Sequence, residues 1–199
     1  MITKGITIGF LECFYELKSE GVLSDSSLRE YWNYNVHSYL QYCLIMGAHH
    51  EGFRGTPEHK LRLSKPIDKY HIDPRLRNRK TRYMRTIRVD VGFLKGGKLI
   101  GIGEIYTPDE IHGCLPSKKL DGAWVTPYDK LVHIARYEED IKFIILIIGL
   151  WTLPPWKDAR KKTLQEWHEY WERLVEQISN KKHLVAVYIE ELNKVTTPQ

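Results

Sequence analysis

Cysteine is scarce in this sequence, and it contains no long apolar run. The three cysteines, Cys13, Cys43 and Cys114, lie far apart and form no C-x-x-C pair. This spacing argues against a structural zinc or an iron–sulfur site and favours a reducing compartment. The longest apolar run, residues 143–151, is far too short to cross a bilayer. No signal peptide is visible, so we expect a cytoplasmic protein that does not enter a membrane.

Length and charge indicate the domain organisation and the class of partner. A chain of 199 residues suits one domain with a complete core, and no repeat or linker divides it. We expect a single domain over residues 1–199, with its core at about 28–151 and a C-terminal helix and strand within 160–190. The net charge of +5 favours an anionic partner, of which nucleic acid is the first candidate.

Hydrophobic periodicity predicts most of the helices and strands. It indicates a central strand over 143–150 that is buried on both faces, and a first helix over 8–20. A second helix begins near residue 27 and is expected to end at Gly47. The other predicted elements are a short strand at 60–64 that Pro66 ends or bends, a helix over 163–180, a strand over 183–189, and a frayed polar tail after Asn193.

Two acidic residues interrupt the strands of a predicted hairpin. Its β-rich runs, 87–94 and 99–107, flank a Gly-Gly turn signal, and they carry Asp90 and Glu104 respectively. An acidic side chain in an apolar strand is costly unless something pairs with it. Two such residues on neighbouring strands therefore predict a shared cation.

The register of this hairpin decides whether the two carboxylates can meet. A two-residue turn would place Asp90 opposite Gly103 and put Glu104 on the other face of the sheet. A three-residue loop that includes Lys95, or an equivalent bulge, would place Glu104 diagonally beside Asp90 on the same face. We predict the second arrangement. The alternative is an ordinary hairpin with two exposed acids.

An acidic residue, a short hairpin and an apolar strand ending in Gly-Glu-X resemble the core of the PD-(D/E)XK nuclease superfamily. The match is close at residues 89–90 and 102–106, and it extends in outline over 28–151. It implies the restriction-endonuclease-like fold, an α/β architecture with a mixed central sheet flanked by helices. The sequence departs from the family at Tyr106, where a lysine usually orients or activates the attacking water.

The resemblance implies a Mg²⁺ or Mn²⁺ site. Its metal ligands would be Asp90, Glu104 and the carbonyl of Ile105, which suit the preference of Mg²⁺ for oxygen. An early helix often contributes a further glutamate, for which Glu30 is the nearest candidate, although a capping box explains Glu30 equally well. Tyr106 can donate a hydrogen bond in place of the missing lysine, but it carries no positive charge.

Another lysine could supply the missing ammonium group. The helix predicted over 128–138 follows the Glu104 strand, and Lys130 lies beside its buried face, so Lys130 is the first choice. Lys118 and Lys119 in the preceding loop come next, and Lys98 at the hairpin tip is expected to be more distant. The alternative for Lys130 is an ordinary exposed helix lysine.

The most basic stretch of the chain leads directly into the Asp90 strand. No acidic residue occurs between Pro74 and Val89, and the clustered positive charges would neutralise phosphates. A solvated loop balanced by acids elsewhere is the alternative. The predicted nucleic-acid-binding residues are Arg75, Arg77, Arg79, Lys80, Arg82 and Arg85, together with Lys118 and Lys119.

Histidines offer weaker candidates for a site. His49 and His50 precede Glu51, but adjacent side chains diverge on a helix or a strand, so we predict no zinc site there. His37 lies on the second predicted helix. It is a weaker candidate for the site than Glu30, because a histidine there is more often part of the core.

These observations predict a Mg²⁺-dependent nuclease that acts on DNA, with RNA as a second candidate substrate. The first alternative is a catalytically inactive nucleic-acid-binding protein on the same scaffold, because the family lysine is absent. The second is an unrelated α/β domain whose hairpin mimics the motif. Many relatives of this fold cut two strands as dimers, so a homodimer is a further expectation, although no residue identifies an interface.

Overall fold

The computed structural model describes residues 2–23, 34–68, 83–106, 127–150, 164–191 and 194–196. The four helices in these ranges are α1 (Ile2–Ser19), α2 (Tyr34–His50), α3 (Pro127–Tyr137) and α4 (Leu164–Ser179). The strands are β1 (Arg54–Asp68), β2 (Tyr83–Lys95), β3 (Lys98–Tyr106), β4 (Phe143–Gly149), β5 (His183–Glu191) and β6 (Lys194–Thr196).

All six strands belong to one mixed sheet in the order β1-β2-β3-β4-β5-β6. The first three strands form an antiparallel meander, β3, β4 and β5 run parallel, and β6 returns antiparallel to β5. Helix α3 connects β3 to β4, as a parallel pair requires a crossover connection. The predicted α/β architecture, a mixed sheet flanked by helices, is confirmed.

The central strand β4 is buried along its whole length because helices cover both faces of the sheet. Its even-numbered residues, such as Leu146, pack in a cluster with Leu131 of α3 and Trp171 of α4. Its odd-numbered residues, such as Ile145, pack in a second cluster with Phe10 of α1 and residues of α2. A strand buried on both faces must be apolar at every position, which explains its continuous apolar run.

Helices α1 and α2 approach so closely that their backbones touch at two glycines. A Cβ atom built on Gly9 would lie 2.9 Å from the Cα atom of Gly47, and one built on Gly47 would overlap the carbonyl oxygen of Ile6. Helix α2 continues to His50, so Gly47 lies inside it and the prediction that Gly47 ends the helix is wrong. The chain turns instead at Gly52, whose φ of +73° is favourable for glycine.

Two further expectations about the strands need correction. Strand β1 is much longer than the predicted 60–64, because an irregularity between Arg62 and Ile67 accommodates Pro66 within it. The tail is not frayed at residues 194–196, because Val195 pairs with Ile189 of β5. Among the described helices, none is long and apolar enough to cross a membrane.

The close approach of α1 and α2 predicts a large effect of a single methyl group. We expect Gly47→Ala to lower the free energy of unfolding by roughly 2 kcal/mol or more, because the methyl group must push the α1 backbone away. Urea unfolding measures the change. Met46→Ala on the exposed side of α2 is the matched control. If both variants are equally stable, the two helices can separate at little cost and the packing argument fails.

Candidate functional site

The β2–β3 hairpin has a two-residue turn. Lys95 pairs with Lys98, and the turn residues Gly96 and Gly97 have φ values of +57° and +79°. Positive φ at both central positions is the geometry for which glycine is favoured in tight hairpins. The three-residue loop of our prediction is therefore wrong.

A bulge beyond the turn shifts the register by one residue. Ile100 of β3 has no partner in the ladder, so Val91 pairs with Gly103. Asp90 and Glu104 are the next residues along the two strands. The structure thus brings the two acidic residues to neighbouring positions along β2 and β3 through a bulge, in a register that differs from the diagonal one predicted.

Glu104 is a buried carboxylate with two polar partners. Its side chain is 2% exposed, and the Nζ atom of Lys130 lies 2.6 Å from Oε1. Lys130 donates a hydrogen bond of 2.8 Å to Oε2, and the hydroxyl of Tyr106 donates a second one of 3.2 Å. Helix α3 therefore places Lys130 directly against Glu104, whereas Tyr106 at the family's lysine position supports the same carboxylate.

The carboxyl group of Glu104 is costly to ionise. Burial raises its pKa to about 8, the nearby charge of Asp90 raises the pKa in addition, and the contacts with Lys130 and Tyr106 lower it in part. Glu104 Oε1 accepts no hydrogen bond in addition to its ion-pair contact with Lys130, and the buried Nε1 atom of Trp171 donates none within the described residues. The indole ring of Trp171 stacks on Tyr106 with ring centroids 5.0 Å apart. An additional cation or polar ligand would be stabilised here.

Asp90 lies where strand β2 changes the face that it buries. Val89 packs in the cluster with α3 and α4, whereas Val91 packs in the cluster with α1 and α2. At this position the Oδ2 atom of Asp90 accepts a hydrogen bond of 2.6 Å from the backbone N–H of Ile105. The carboxylate is partly exposed and therefore reachable from solvent.

Helix α2 approaches Asp90 with two polar side chains. The Nε2 atom of His37 lies 3.6 Å from Oδ1 of Asp90. Gln41, one helical turn later, donates a hydrogen bond of 2.7 Å to the Asp90 carbonyl oxygen and a longer one of 3.4 Å to Glu58. We had considered His37 only as a weak candidate. Gln41 follows His37 by four residues, and this helical spacing could have indicated Gln41 from the sequence. Nothing in the sequence indicated Glu58, whose φ of +48° is unusual.

The oxygen atoms that the described residues offer at this site suit a magnesium ion. The carboxylates of Asp90 and Glu104 and the Ile105 carbonyl are oxygen donors of the kind that Mg²⁺ takes together with retained waters. Within the described residues, no three His, Cys, Asp or Glu side chains lie close enough together to hold a metal ion. Glu30 lies outside those residues.

Most of the predicted nucleic-acid-binding residues also lie outside the described residues. These are Arg75, Arg77, Arg79, Lys80, Arg82, Lys118 and Lys119. Arg85 is described, and it is exposed on β2.

The described strands carry a basic surface that adds Lys60 and Arg62 of β1 to the basic stretch predicted before Asp90. Lys60 of β1 pairs directly with Arg88 of β2, and Arg62 and Arg85 are exposed nearby. None of these four residues, which we call the basic ribbon, forms an ion pair with a described residue. Like charges placed opposite each other on two strands are destabilising, so this arrangement favours an anionic partner. The Lys-Leu-Arg-Leu alternation of residues 60–63 was the signal for it.

No protein-family model matches the chain, and neither the curated proteins nor the solved structures that were compared with it gave a match.

The raised pKa of Glu104 predicts how stability depends on pH. Because its folded pKa of about 8 exceeds its ordinary value of 4.5, the stability that this group contributes is present below pH 4.5 and is lost as the pH rises to about 8. Relative to wild type, Glu104→Gln should gain stability over this window, on the order of 3–5 kcal/mol at most.

The measurement is urea unfolding at several pH values from 4.5 to 9, with a chelator present to remove divalent cations. Glu169→Gln, at an exposed acid of α4, is the control and should follow wild type across the range. Parallel profiles for wild type and Glu104→Gln would contradict the assignment of a raised pKa.

Proposed function

We propose that this protein is a cytoplasmic, metal-dependent nuclease that hydrolyses phosphodiester bonds of DNA. In this proposal Asp90, Glu104 and the Ile105 carbonyl hold Mg²⁺ or Mn²⁺, and Lys130 replaces the lysine that the PD-(D/E)XK resemblance would place at position 106. The observation that carries the proposal is the 2.6 Å contact between Lys130 and Glu104, immediately beside Asp90. It supplies the ammonium group that the sequence motif lacks.

Hydrolysis of a phosphodiester requires an activated water and neutralisation of the charge that develops on the phosphate. A bound divalent cation would supply both in part, by lowering the pKa of its water and by contacting phosphate oxygens. The ammonium group of Lys130 adds a positive charge beside Glu104 and can orient a water through its remaining protons. Tyr106, fixed by stacking on Trp171, is a positioning residue that holds the Glu104 carboxylate.

The basic ribbon supports nucleic acid as the substrate. Arg88 lies only two residues before Asp90 on β2, so part of the basic ribbon and one of the two carboxylates share a strand. Lysine and arginine side chains on such a surface would contact phosphates without reading the base sequence. DNA is the proposed substrate, and RNA is the outcome that the assay below must distinguish.

A second function, nucleic-acid binding without catalysis, is favoured by a specific contact. The ammonium group of Lys130 lies against both oxygens of Glu104. It therefore neutralises the buried acid without any metal ion. In this alternative Glu104 and Lys130 form a structural ion pair, and the protein only binds nucleic acid, through the basic ribbon.

A cleavage assay separates the two functions. We expect wild type to cut labelled linear or circular DNA in Mg²⁺ or Mn²⁺, and Asp90→Ala to abolish cutting. Lys130→Ala should lower the cleavage rate about 100-fold or more, as the loss of a group that assists proton transfer does, while cation binding measured by calorimetry persists. Lys98→Ala at the exposed hairpin tip is the matched lysine control and should cut normally.

Each other result has a defined meaning. Binding without cleavage on single-stranded, duplex and RNA substrates would overturn the nuclease proposal and favour the inactive alternative. Cleavage of RNA alone would overturn the choice of DNA. Full activity of Lys130→Ala would show that Lys130 does not assist the reaction.

The basic ribbon predicts a change in salt dependence. Lys60→Ala combined with Arg88→Ala should weaken DNA binding and lower the slope of log K against log [salt] by roughly 1–2, because each lost phosphate contact removes about 0.9 from the slope. Fluorescence anisotropy at several salt concentrations measures this slope. The double variant Lys4→Ala and Lys181→Ala removes the same charge from exposed positions elsewhere, and its slope should equal that of wild type. Equal slopes for both double variants would place the DNA on another surface.

A further inference from the structure

Helices α1 and α2 run antiparallel with a repeating register of facing residues. A Cβ atom built on Gly5 would overlap the carboxylate of Glu51, and one built on Gly9 would meet the backbone of Gly47. Each pair is four residues from the other in both segments, which is about one helical turn, and Glu51 directly follows the last residue of α2. The next pair in this register, one turn further along, is therefore formed by residues 13 and 43.

Both positions of that next pair are cysteines. Cys43 is fully buried, and Cys13 is partly buried against the same core cluster. Both thiols are free, and they are hydrogen-bonded to each other, with Cys43 donating to Cys13. The contact at Gly9 and Gly47 holds the helix backbones close, and a disulfide requires such closeness because its two Cα atoms lie about 4.4–6.8 Å apart.

We propose that Cys13 and Cys43 are a redox modification site, at which a low-molecular-weight disulfide converts the thiol pair to a reversible disulfide that cross-links α1 to α2. This inference does not depend on the nuclease proposal. It assigns a role to two thiols that the candidate active site does not use.

The reaction is a pair of thiol–disulfide exchanges. The Cys13 thiolate attacks one sulfur of the small disulfide, forms a mixed disulfide and releases one small thiolate. The Cys43 thiolate then attacks the sulfur of Cys13, closes the internal disulfide and releases the second small thiolate. The two cysteines lose two electrons and two protons in total, and the small disulfide gains them as two thiols.

The geometry assigns different roles to the two cysteines. Cys13 is the more exposed of the two thiols, so a small disulfide reaches it first. Cys43 is fully buried and needs to reach only its neighbour. Burial raises the pKa of both thiols, so oxidation should be faster at alkaline pH than at neutral pH.

The cross-link would act on the helix that supports Asp90. Gln41 of α2, which donates to the Asp90 carbonyl, is two residues before Cys43. A disulfide at Cys43 fixes this part of α2 to α1. It also closes the chain from residue 13 to residue 43 into a loop, which restricts the unfolded state.

The test uses the full chain with Cys114→Ser, so that only the proposed pair can react. The protein is incubated with oxidised glutathione, alkylated, digested without reduction and analysed by mass spectrometry. We expect a Cys13–Cys43 linked peptide in the monomer, with no alkylated thiol. The melting temperature should rise by roughly 5–10 °C and return to its starting value with dithiothreitol.

A matched variant reports the order of the two steps. With Cys43→Ser added, the mixed disulfide with glutathione should accumulate on Cys13, because no second thiol releases it. If that variant does not fold by circular dichroism, Cys43→Ala gives the same readout. A stable mixed disulfide on Cys13 while Cys43 is still present, a disulfide between two chains, or two thiols that stay free at saturating glutathione disulfide would each overturn the proposal.

Discussion

The carboxylate of Glu104 is the group around which this part of the structure is organised. Moving an ionised carboxylate out of water costs several kcal/mol even after relaxation, and the cost falls only if a partner of opposite charge comes with it. Lys130 is that partner, at 2.6 Å. The ion pair therefore joins α3 to β3 at a fixed position, in addition to the apolar contacts of Leu131 and Ile134 with the sheet. Removing either partner would leave a buried charge uncompensated.

The topology of the sheet brings the two acids to neighbouring positions along adjacent strands. Strand β3 pairs antiparallel with β2 on one side and parallel with β4 on the other. The recorded ladder between β2 and β3 ends at Val91 and Gly103, one step before the acids. The backbone N–H of Ile105 then donates to the Asp90 carboxylate, so the side chain satisfies a polar group that would otherwise need another partner. The carboxylate of Asp90 thus accepts a backbone hydrogen bond from β3 just beyond the last backbone pair of β2 and β3.

The sequence predicted those parts of the molecule that depend on local periodicity. Strand β4 and helix α4 were recognisable from their apolar patterns, and the phase of α3 indicated that Lys130 would lie beside its buried face. The path of the hairpin was not predictable, because the extra residue at Ile100 depends on packing beyond the turn. Neither was the end of α2, because a glycine in a helix can mark a terminus or a close contact with another helix.

The ambiguous role of Gly47 is also the reason why the sequence did not predict the cysteine pair. Cys13 and Cys43 are far apart in the sequence, and only the antiparallel register of Gly9 and Gly47 brings them together. If α2 is taken to end at Gly47, this glycine is not recognised as a contact between the two helices, and the register cannot be inferred. The steps of four residues from Gly9 to Cys13 and from Cys43 to Gly47 were present in the sequence, but they acquire meaning only when both glycines are known to lie between two helices.

The energetics of the two acids bear on the choice between a catalytic and a structural site. A buried ion pair is seldom the most stable solution, since apolar side chains of similar volume often give equal or greater stability. Glu104 adds a second unfavourable feature, because burial raises its pKa and the charge of Asp90 raises it in addition, even though Lys130 is in contact with it. The carboxyl group therefore stays costly to ionise with Lys130 as its partner. A divalent cation beside Glu104 would lower this cost, and it would leave the ammonium group of Lys130 able to contact a water. In an inactive scaffold the cost of burying this acid would serve no reaction, and this is the argument for the metal-dependent nuclease over the structural ion pair.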